Sequence, residues 1–311
     1  MSERRLLLVV GVGRSGTSLL SGMLGPLGFR IPQPEVQADD TNPRGFGEPR
    51  WVVDFHTRLL RERRVTVNDA RPAAWDATTA AGEVPAVQEE LRGWLADELR
   101  EPGAVLVKDP RTVWFLPLWM RCAAELGAST SFVTMLRHPA EIVTSARRSY
   151  GTGLTEASRA AAWINVILQT EHVTREAPRA FVRYEDLLAD WLPEVRRLGG
   201  ALDLPELAAV DRRPEVDAFV DPGLHRSRTS WADLDVPDRV RDLAEAVWGH
   251  LDSPTAETLD ADKTAYRALY AEAEAIAQCS VMAARPRRKR PAPPPSLRTR
   301  LARRVRKLRS S

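Results

Sequence analysis

The sequence predicts an α/β fold, with a central parallel sheet flanked by helices in three αβα layers and a helical C-terminal part. Four short apolar runs, each followed by a stretch with helical periodicity, are typical of buried parallel strands joined by helices. These runs are residues 6–10, 104–107, 131–136 and 180–184. A glycine-rich turn between the first run and the first helix is the second observation. Because α/β folds often reach this length as one unit, we expect one main domain over residues 1–284 and a separate tail over 285–311.

The turn after the first strand has the composition of a phosphate loop. It consists, in order, of Gly11, Val12, Gly13, Arg14, Ser15, Gly16, Thr17 and Ser18. Three glycines let the backbone turn tightly and approach an anion, and the next helix directs its free N–H groups to the same place. Thr17 stands where the nucleotide-triphosphatase loop has its lysine, and the cation of this loop is Arg14. The sheet is therefore predicted to be P-loop-like, with a site for phosphate or sulfate; an ordinary strand-to-helix connection is the alternative.

The region between the first two strands is predicted to contain two further helices. A polar loop over residues 39–49 leads into a helix over 50–64, and another helix covers 85–100. Residues 65–84 show no periodicity and are predicted to be irregular, either as a variable loop over a pocket or as a solvated connection. Later helices are predicted from residue 139 and over residues 112–126, 158–175, 236–251 and 261–284.

Cations follow the second and third strands of the predicted sheet. Lys108 and Arg111 come after the second strand, and Arg137 comes after the third. The carboxyl ends of strands in open α/β sheets form the ligand-binding edge, so we expect these cations to face the same pocket as Arg14. A solvated turn with an Asp–Arg pair is the alternative for Lys108 and Arg111. Ser145 lies eight positions after Arg137, a separation that lets a guanidinium and a hydroxyl converge on one phosphate.

Cysteine content and hydropathy indicate a soluble, cytoplasmic protein. The two cysteines, Cys122 and Cys279, supply neither a disulfide framework nor a metal site. The first apolar run is too short for a signal peptide, and no later run approaches the ~20 apolar residues of a membrane span. No cluster of His, Asp or Glu has the spacing of metal ligands, so no metal is expected.

The net charge of +3 hides a basic C-terminus on an acidic body. Residues 285–311 contain 12 Lys/Arg and no acidic residue, whereas residues 1–284 contain 33 Lys/Arg and 42 Asp/Glu. The body is therefore not expected to carry a nucleic-acid groove. In the tail, one helical stripe holds four apolar residues: Leu297, Leu301, Val305 and Leu308. Such a segment is predicted to be disordered alone and helical on an anionic membrane surface at the inner face; a tail without a partner is an equal alternative, and nucleic acid is the least favoured partner.

Together, the phosphate loop and the strand-end residues resemble the motifs of the sulfotransferase superfamily. Members of this family transfer a sulfuryl group from 3′-phosphoadenosine 5′-phosphosulfate (PAPS) to an acceptor. The loop from Gly11 to Ser18 is similar to the element that binds the 5′-phosphosulfate, and Arg137 with Ser145 is similar to the pair that binds the 3′-phosphate. The loop and the Lys-Asp-Pro sequence at 108–110 are most similar to those of bacterial and tyrosylprotein sulfotransferases. The resemblance covers about residues 5–230.

The resemblance implies a set of donor-binding residues. They are Gly13, Arg14, Ser15, Gly16, Thr17, Ser18, Arg137, Ser145, Tyr184 and Arg226. In the family, a strand that ends in Tyr-Glu-Asp places its tyrosine near the adenine, as Tyr184 would; a tyrosine that caps the core is the alternative. Arg226 lies in a basic loop at the place where relatives close a segment over the nucleotide.

The resemblance also implies catalytic roles for four residues. Arg14 and Lys108 are expected to stabilise charge on the transferred group and on the leaving oxygen. Glu48 is the first candidate for the base, because it ends the loop that enters the site in similar bacterial enzymes. His56 is the second candidate, since many cytosolic sulfotransferases use a histidine, and an exposed helical position is its alternative. Three aspartates are less favoured candidates: Asp39, Asp40 and Asp109.

We therefore expect a PAPS-dependent sulfotransferase that acts on a hydroxyl or amine of a carbohydrate, lipid or secondary-metabolite acceptor and releases PAP. A P-loop kinase or another ATP-using transferase is one alternative, against which Thr17 and the lack of an evident magnesium-binding acid pair argue. A catalytically inactive nucleotide-binding protein is the other, against which the presence of Arg14, Lys108 and Glu48 argues.

Overall fold

A five-stranded parallel sheet forms the centre of the computed structural model, which describes residues 4–39, 42, 44–101, 103–150, 153–220 and 230–283. Within these residues the strands are β1 (Arg5–Val10), β2 (Phe29–Arg30), β3 (Ala104–Lys108), β4 (Ser129–Leu136) and β5 (Arg179–Arg183). Hydrogen bonds pair them in parallel in the order β2-β3-β1-β4-β5. The predicted central parallel sheet is confirmed. The sequence does not predict the edge strand β2, because an element of two residues has no periodicity.

Helices connect the strands and follow the last one. In the described chain they are α1 (Thr17–Leu24), α2 (Arg50–Glu62), α3 (Ala74–Gly82), α4 (Pro85–Glu98), α5 (Leu116–Glu125), α6 (Pro139–Tyr150), α7 (Glu156–Thr174), α8 (Tyr184–Ala189), α9 (Trp191–Ala201), α10 (Pro205–Ala208), α11 (Pro214–Phe219), α12 (Asp238–His250) and α13 (Ala256–Ala283). Two 3₁₀ helices cover Pro110–Phe115 and Trp231–Asp233.

Two predictions about the helices are wrong. Residues 65–84 are not irregular throughout, since α3 lies within them and buries Trp75 in the core. The continuous helix predicted over residues 112–126 is instead a 3₁₀ helix followed by α5. The tighter turn begins because the side chain of Asp109 accepts a hydrogen bond from the backbone N–H of Arg111.

Side chains of β1 alternate between two cores and so place the sheet between two layers of helices. Leu6, Leu8 and Val10 join a core built with α2–α7, α12 and the first part of α13. Leu7 and Val9 join a second core built with α1 and α8–α11. All five side chains are buried, as is typical of a parallel strand covered on both faces. The predicted three-layer αβα arrangement is confirmed, and its helical C-terminal part belongs to the first layer.

The strand order fixes where a ligand is expected. From β1 the chain runs to β2 and β3 on one side, while β4 and β5 lie on the other, so the connections change direction between β1 and β4. Ligands of open α/β sheets bind at such a switch point, outside the carboxyl ends of the strands. Three polar segments begin there: the turn after β1, Lys108 at the end of β3 and Arg137 after β4.

The described chain continues beyond the sheet. Residues up to Ala271 form one compact unit, and a second unit begins at Glu272. Of the second unit the structure describes residues 272–283, which are helical. The basic tail over 285–311 and the predicted nucleotide contact Arg226 lie outside the described residues. In the ranges that are described, no helix is both long and apolar enough to span a membrane.

Candidate active site

The phosphate loop has the backbone of an anion-binding turn. Gly11, Arg14 and Gly16 have positive φ angles of 143°, 76° and 99°. Positions 11 and 16 of the loop require glycine. A Cβ atom at Gly11 would lie 2.8 Å from the carbonyl oxygen of Met135, and a Cβ atom at Gly16 would overlap the ring of Tyr184. α1 then begins without a side-chain cap and without an acidic residue in its first turn. Its first N–H groups and the positive end of its dipole therefore face the space above the loop.

One buried hydroxyl in this loop has an unused hydrogen-bonding capacity. Ser15 is 1% exposed, and its backbone N–H donates to the carbonyl of Val12 over 3.1 Å. Its Oγ, however, has no hydrogen bond to any part of the chain that the structure describes. Buried hydroxyls are almost always hydrogen-bonded. A phosphate or sulfate oxygen held in the loop would supply the missing acceptor, and the loop therefore fits an oxyanion.

Arg137 and Ser145 meet the phosphate loop at the end of β4. Nε of Arg14 donates to Oγ of Ser145 over 3.2 Å, and Nη1 of Arg137 donates to the backbone carbonyl of Arg14 over 3.3 Å. The guanidinium of Arg137 also lies 4.7 Å from the centre of the Tyr184 ring, which packs against Gly16. The structure thus brings together four side chains that the sequence analysis places at the donor, although they come from three separate segments: the phosphate loop, residues 137–145 and the start of α8.

A carboxylate not anticipated from the sequence lies beside Arg137. Oε2 of Glu141 accepts a hydrogen bond from Nε of Arg137 over 2.9 Å. The side chains are only 8% and 12% exposed, so water screens this ion pair weakly. The spacing of four residues across the start of α6 is the signal that could have revealed it.

Lys108 links the phosphate loop to the loop that carries Glu48. Its Nζ donates to Oε1 of Glu48 over 2.6 Å, to Oγ of Ser18 over 3.0 Å and to the carbonyl of Phe46 over 3.1 Å. Lys108 is 1% exposed and Glu48 is 7% exposed. Burial raises the pKa of Glu48, and the positive charge of Lys108 opposes that rise. The cation and the base that the sequence predicts are therefore in direct contact.

Backbone contacts hold Glu48 at the neck of its loop. The N–H of Val36 donates to the carbonyl of Glu48, and the N–H of Arg50 donates to the carbonyl of Pro34, each over 2.8 Å. Gly47 has a φ angle of 63° and packs so closely on α1 that a Cβ atom would overlap a serine side chain there. Glu48 therefore has a fixed position between β3 and α1.

His56 is buried, contrary to the exposed position that was its expected alternative. It is 0% exposed, its Nδ1 lies 2.7 Å from Oδ2 of Asp109, and its Nε2 accepts from the indole N–H of Trp119 over 3.0 Å. Because Nε2 accepts, Nδ1 carries the proton and donates it to Asp109. Burial lowers the pKa of His56, and the hydrogen bond and charge of Asp109 oppose that shift. Both ring nitrogens are engaged inside the protein, and a role of His56 as the base stays a prediction from the sequence.

Asp109 joins His56 to Arg111. Oδ1 of Asp109 accepts from the backbone N–H of Arg111 over 3.1 Å and from its Nη1 over 2.7 Å. The same Nη1 lies 4.0 Å from Oε2 of Glu48. Burial acts to raise the pKa of Asp109, but the hydrogen bond from His56 and the charge of Arg111 outweigh it, and the pKa lies below its usual range. Asp109 is 0% exposed, so this Asp–Arg pair is not part of a solvated turn.

A model of the sulfotransferase family matches residues 7–208 of the chain. The matched segment contains the phosphate loop, Glu48, Lys108 and the pair Arg137 and Ser145. The chain belongs to the sulfotransferase family. The resemblance that the three motifs indicate is thereby confirmed. No curated protein matches the sequence.

Solved sulfotransferase structures are similar to this sulfotransferase at low identity. The sulfotransferase domain of the Synechococcus olefin synthase is 17% identical, and the match covers 87% of this chain and 96% of that domain with a TM-score of 0.43. A sulfotransferase from Mycobacterium tuberculosis is 16% identical, with 80% and 77% of the two chains covered and a TM-score of 0.40. A mouse sulfotransferase complexed with PAP is 12% identical, with 85% and 89% covered and a TM-score of 0.36.

Within the sulfotransferase, the predicted site residues fall into two groups around one edge of the sheet. Arg14, Arg137, Ser145 and Tyr184 surround the phosphate loop, whereas Lys108 and Glu48 form a buried pair beside it. Among the described residues there is no group of three or more His, Cys, Asp or Glu side chains that could hold a metal ion. The buried hydrogen bonds of Asp109 are the feature that sequence reasoning missed.

Proposed function

We propose that this sulfotransferase transfers a sulfuryl group from PAPS to a hydroxyl or amine of a carbohydrate, lipid or secondary-metabolite acceptor and releases PAP. The observation that supports this most strongly is the contact of Lys108 Nζ with both Ser18 of the phosphate loop and Glu48. A cation in this position lies between the group that binds the donor and the group that takes the acceptor proton. Family membership favours sulfuryl transfer over the phosphoryl transfer of a P-loop kinase.

The phosphate loop fits the 5′-phosphosulfate of PAPS. Its positive-φ backbone, the N-terminus of α1 and the unused Oγ of Ser15 offer hydrogen-bonding groups to an oxyanion. We assign the 5′-phosphosulfate to the loop residues, which are Gly13, Arg14, Ser15, Gly16, Thr17 and Ser18.

The residues after β4 and β5 fit the other end of the nucleotide. We assign the 3′-phosphate to Arg137 and Ser145, because the guanidinium of Arg137 and the hydroxyl of Ser145 both hydrogen-bond to Arg14 of the phosphate loop. Tyr184, whose ring contacts Arg137 and Gly16, is assigned to the adenine. Arg226 as a closing contact over the nucleotide stays a prediction from the sequence.

Glu48 and Lys108 act in one step. Transfer forms a bond between the acceptor oxygen and sulfur and breaks the bond between sulfur and the bridging phosphate oxygen, while the acceptor proton passes to Glu48. Charge builds on the equatorial and leaving oxygens in such transfers, and Arg14 and Lys108 stabilise it. The raised pKa makes Glu48 a stronger base than an exposed carboxylate. Once Glu48 is protonated, Lys108 loses its anionic partner, and its charge becomes available to the leaving oxygen.

Ligand-dependent stability and label transfer test this function. PAP without magnesium should stabilise the full chain, by about 2.7 kcal/mol at a hundredfold excess over its dissociation constant. Stabilisation by ATP with magnesium alone would support the kinase instead. Transfer of labelled sulfate from PAPS into an extract of the producing cells then identifies the acceptor. Binding of PAP without any transfer would support the inactive nucleotide-binding protein.

A further inference from the structure

A buried chain of hydrogen bonds leads from α5 to the edge of the active site. Trp119 donates to His56, His56 donates to Asp109, and Asp109 accepts from Arg111. Arg111 in turn lies 4.0 Å from Oε2 of Glu48. The members come from α5, α2 and the 3₁₀ helix after β3, so three elements that pack together determine where this arginine points.

Asp109 restricts Arg111 to one direction. Its Oδ2 is occupied by His56, so Oδ1 takes both the backbone N–H and the Nη1 of Arg111. The side chain of Arg111 is 27% exposed, whereas that of Asp109 is 0% exposed. An arginine at this exposure would otherwise sample many rotamers, and hydrogen bonds to a buried carboxylate select one of them.

The selected rotamer places a second cation beside the base. Lys108 Nζ lies 2.6 Å from Oε1 of Glu48, and Arg111 Nη1 lies 4.0 Å from Oε2. The charged groups that face Glu48 in the described structure are therefore Lys108, Arg111 and the carboxylate of Asp109. Burial and Asp109 raise the pKa of Glu48, while the charges of Lys108 and Arg111 lower it. Lys108 therefore hydrogen-bonds to one oxygen of the carboxylate, and Arg111 acts on the other through its charge at 4.0 Å.

We propose that Arg111 is a positioning residue for the carboxylate of Glu48, and that Asp109 and His56 act on Glu48 through it. This assignment rests on the proposed function of Glu48 as the base. It gives the buried His56 a role other than proton transfer: His56 hydrogen-bonds to Asp109, and Asp109 orients Arg111.

Variants of Arg111 test this assignment better than variants of Asp109. Asp109 also starts the 3₁₀ helix and is fully buried, so its replacement can prevent folding. Arg111→Met removes the charge at a partly exposed position, and Arg111→Lys keeps it. Arg121→Met is the matched control, because Arg121 pairs with Glu83 on the surface.

The first measurement is a ¹³C-carboxyl NMR titration of the full chain without ligands, with the signal of Glu48 assigned by its loss in Glu48→Gln. Arg111→Met should raise the pKa of Glu48, since it removes a positive charge near the carboxylate. Arg111→Lys should raise it less, and Arg121→Met should not change it. A pKa of Glu48 that is the same in Arg111→Met and in the wild type overturns the proposal.

The second measurement separates positioning from binding. In Arg111→Met, transfer of labelled sulfate from PAPS should slow by about a hundredfold, with the affinity for PAP unchanged and the acidic limb of the pH–rate profile moved to higher pH. His56→Leu should give a smaller change in the same direction, and adding it to Arg111→Met should change nothing further. Equal losses of PAP affinity and rate would overturn the proposal. If the wild-type protein transfers no sulfate, only the proposed function is contradicted. The effect of Arg111 on Glu48 is still tested by the NMR titration, which needs neither PAPS nor acceptor.

Discussion

The two strands that flank β1 end in different kinds of site. After β4, Arg137 pairs with Glu141, which is only four positions away. At the end of β3, Lys108 contacts Glu48 and Ser18, which are 60 and 90 positions away. Both sides thus join distant segments, since Arg14 meets Ser145 and Arg137 over 131 and 123 positions, but the side that we assign to the nucleotide also holds an ion pair within one short segment.

Both sides are buried, but they differ in their partners. Lys108 and Glu48, 1% and 7% exposed, hydrogen-bond to each other, whereas Arg137 and Tyr184, 8% and 6% exposed, stack beside the phosphate loop. Lys108 contacts the candidate base, whereas Arg137 contacts the phosphate loop that we assign to the donor. We therefore expect substitutions at the end of β3 to change the rate of transfer and substitutions after β4 to change the affinity for the donor.

The largest effect is expected for Lys108→Ala. Turnover should fall by about 10²–10³-fold, because a fixed cation at the leaving oxygen is removed, while the dissociation constant of PAP stays nearly constant. Steady-state rates and calorimetric titration with PAP measure the two quantities. Lys263→Ala in α13 is the matched lysine control and should behave as the wild type. If PAP affinity falls by the same factor as turnover, Lys108 contributes to donor binding, and the proposed division between a rate-determining and an affinity-determining strand end is wrong.

Glu48→Gln should slow transfer by about 10²-fold or more with PAP binding retained. In the wild type, the rate should fall as the pH drops through the pKa of Glu48, which burial raises above its usual range, because a protonated carboxyl group cannot accept the acceptor proton. The glutamine variant should lack this acidic limb. A pH–rate profile from pH 5 to 9 checks the expectation, and an unchanged limb would assign the base to another residue.

The contrast between local patterns and contacts of distant residues also explains which parts of the site the sequence predicts. Four of the five described strands, the phosphate loop and the cations at the strand ends follow from local patterns, since hydrophobic runs and glycine spacing are recognised within a few residues. The contacts of Asp109 with His56 and of His56 with Trp119 span 53 and 63 positions. No local pattern encodes which polar groups meet inside the core, so the burial of Asp109 is not predictable from its own neighbourhood.

His56 shows that one of these misses has a usable signal. In α2 it shares a stripe with Val52, Phe55 and Leu59, at the spacing of a buried helix face. The polarity of His56 suggests an exposed side chain, but its position in the helical repeat indicates a buried one. The structure agrees with the helical repeat, since His56 is buried. The position of His56 on an apolar helix stripe therefore predicts a buried side chain, which must then hydrogen-bond to another polar group such as Asp109.

On the nucleotide side, Arg137→Ala should remove the preference for PAP over AMP. Loss of a charged hydrogen-bond donor to the 3′-phosphate should weaken PAP binding by about 10–100-fold, equivalent to 1.5–3 kcal/mol, and leave AMP binding unchanged. Glu141→Gln, which removes the carboxylate beside Arg137, should keep the preference and is the control for local disturbance. Competition titrations with the two nucleotides measure the ratio. A variant that still binds PAP much better than AMP would place the 3′-phosphate elsewhere.

The smallest effect on chemistry is expected from removing the basic tail, which lies outside the described residues. A chain that ends at Ala284 should keep the wild-type rate on a soluble acceptor, because every residue assigned to either strand end precedes it. The full chain should sediment with anionic vesicles at moderate salt and the truncated chain should not, since each basic residue near acidic lipid contributes about 1 kcal/mol. Neutral vesicles, which should bind neither form, are the control. Equal sedimentation of both forms with anionic vesicles would exclude the tail as the membrane contact, and a slower truncated enzyme would show that the tail takes part in the reaction itself.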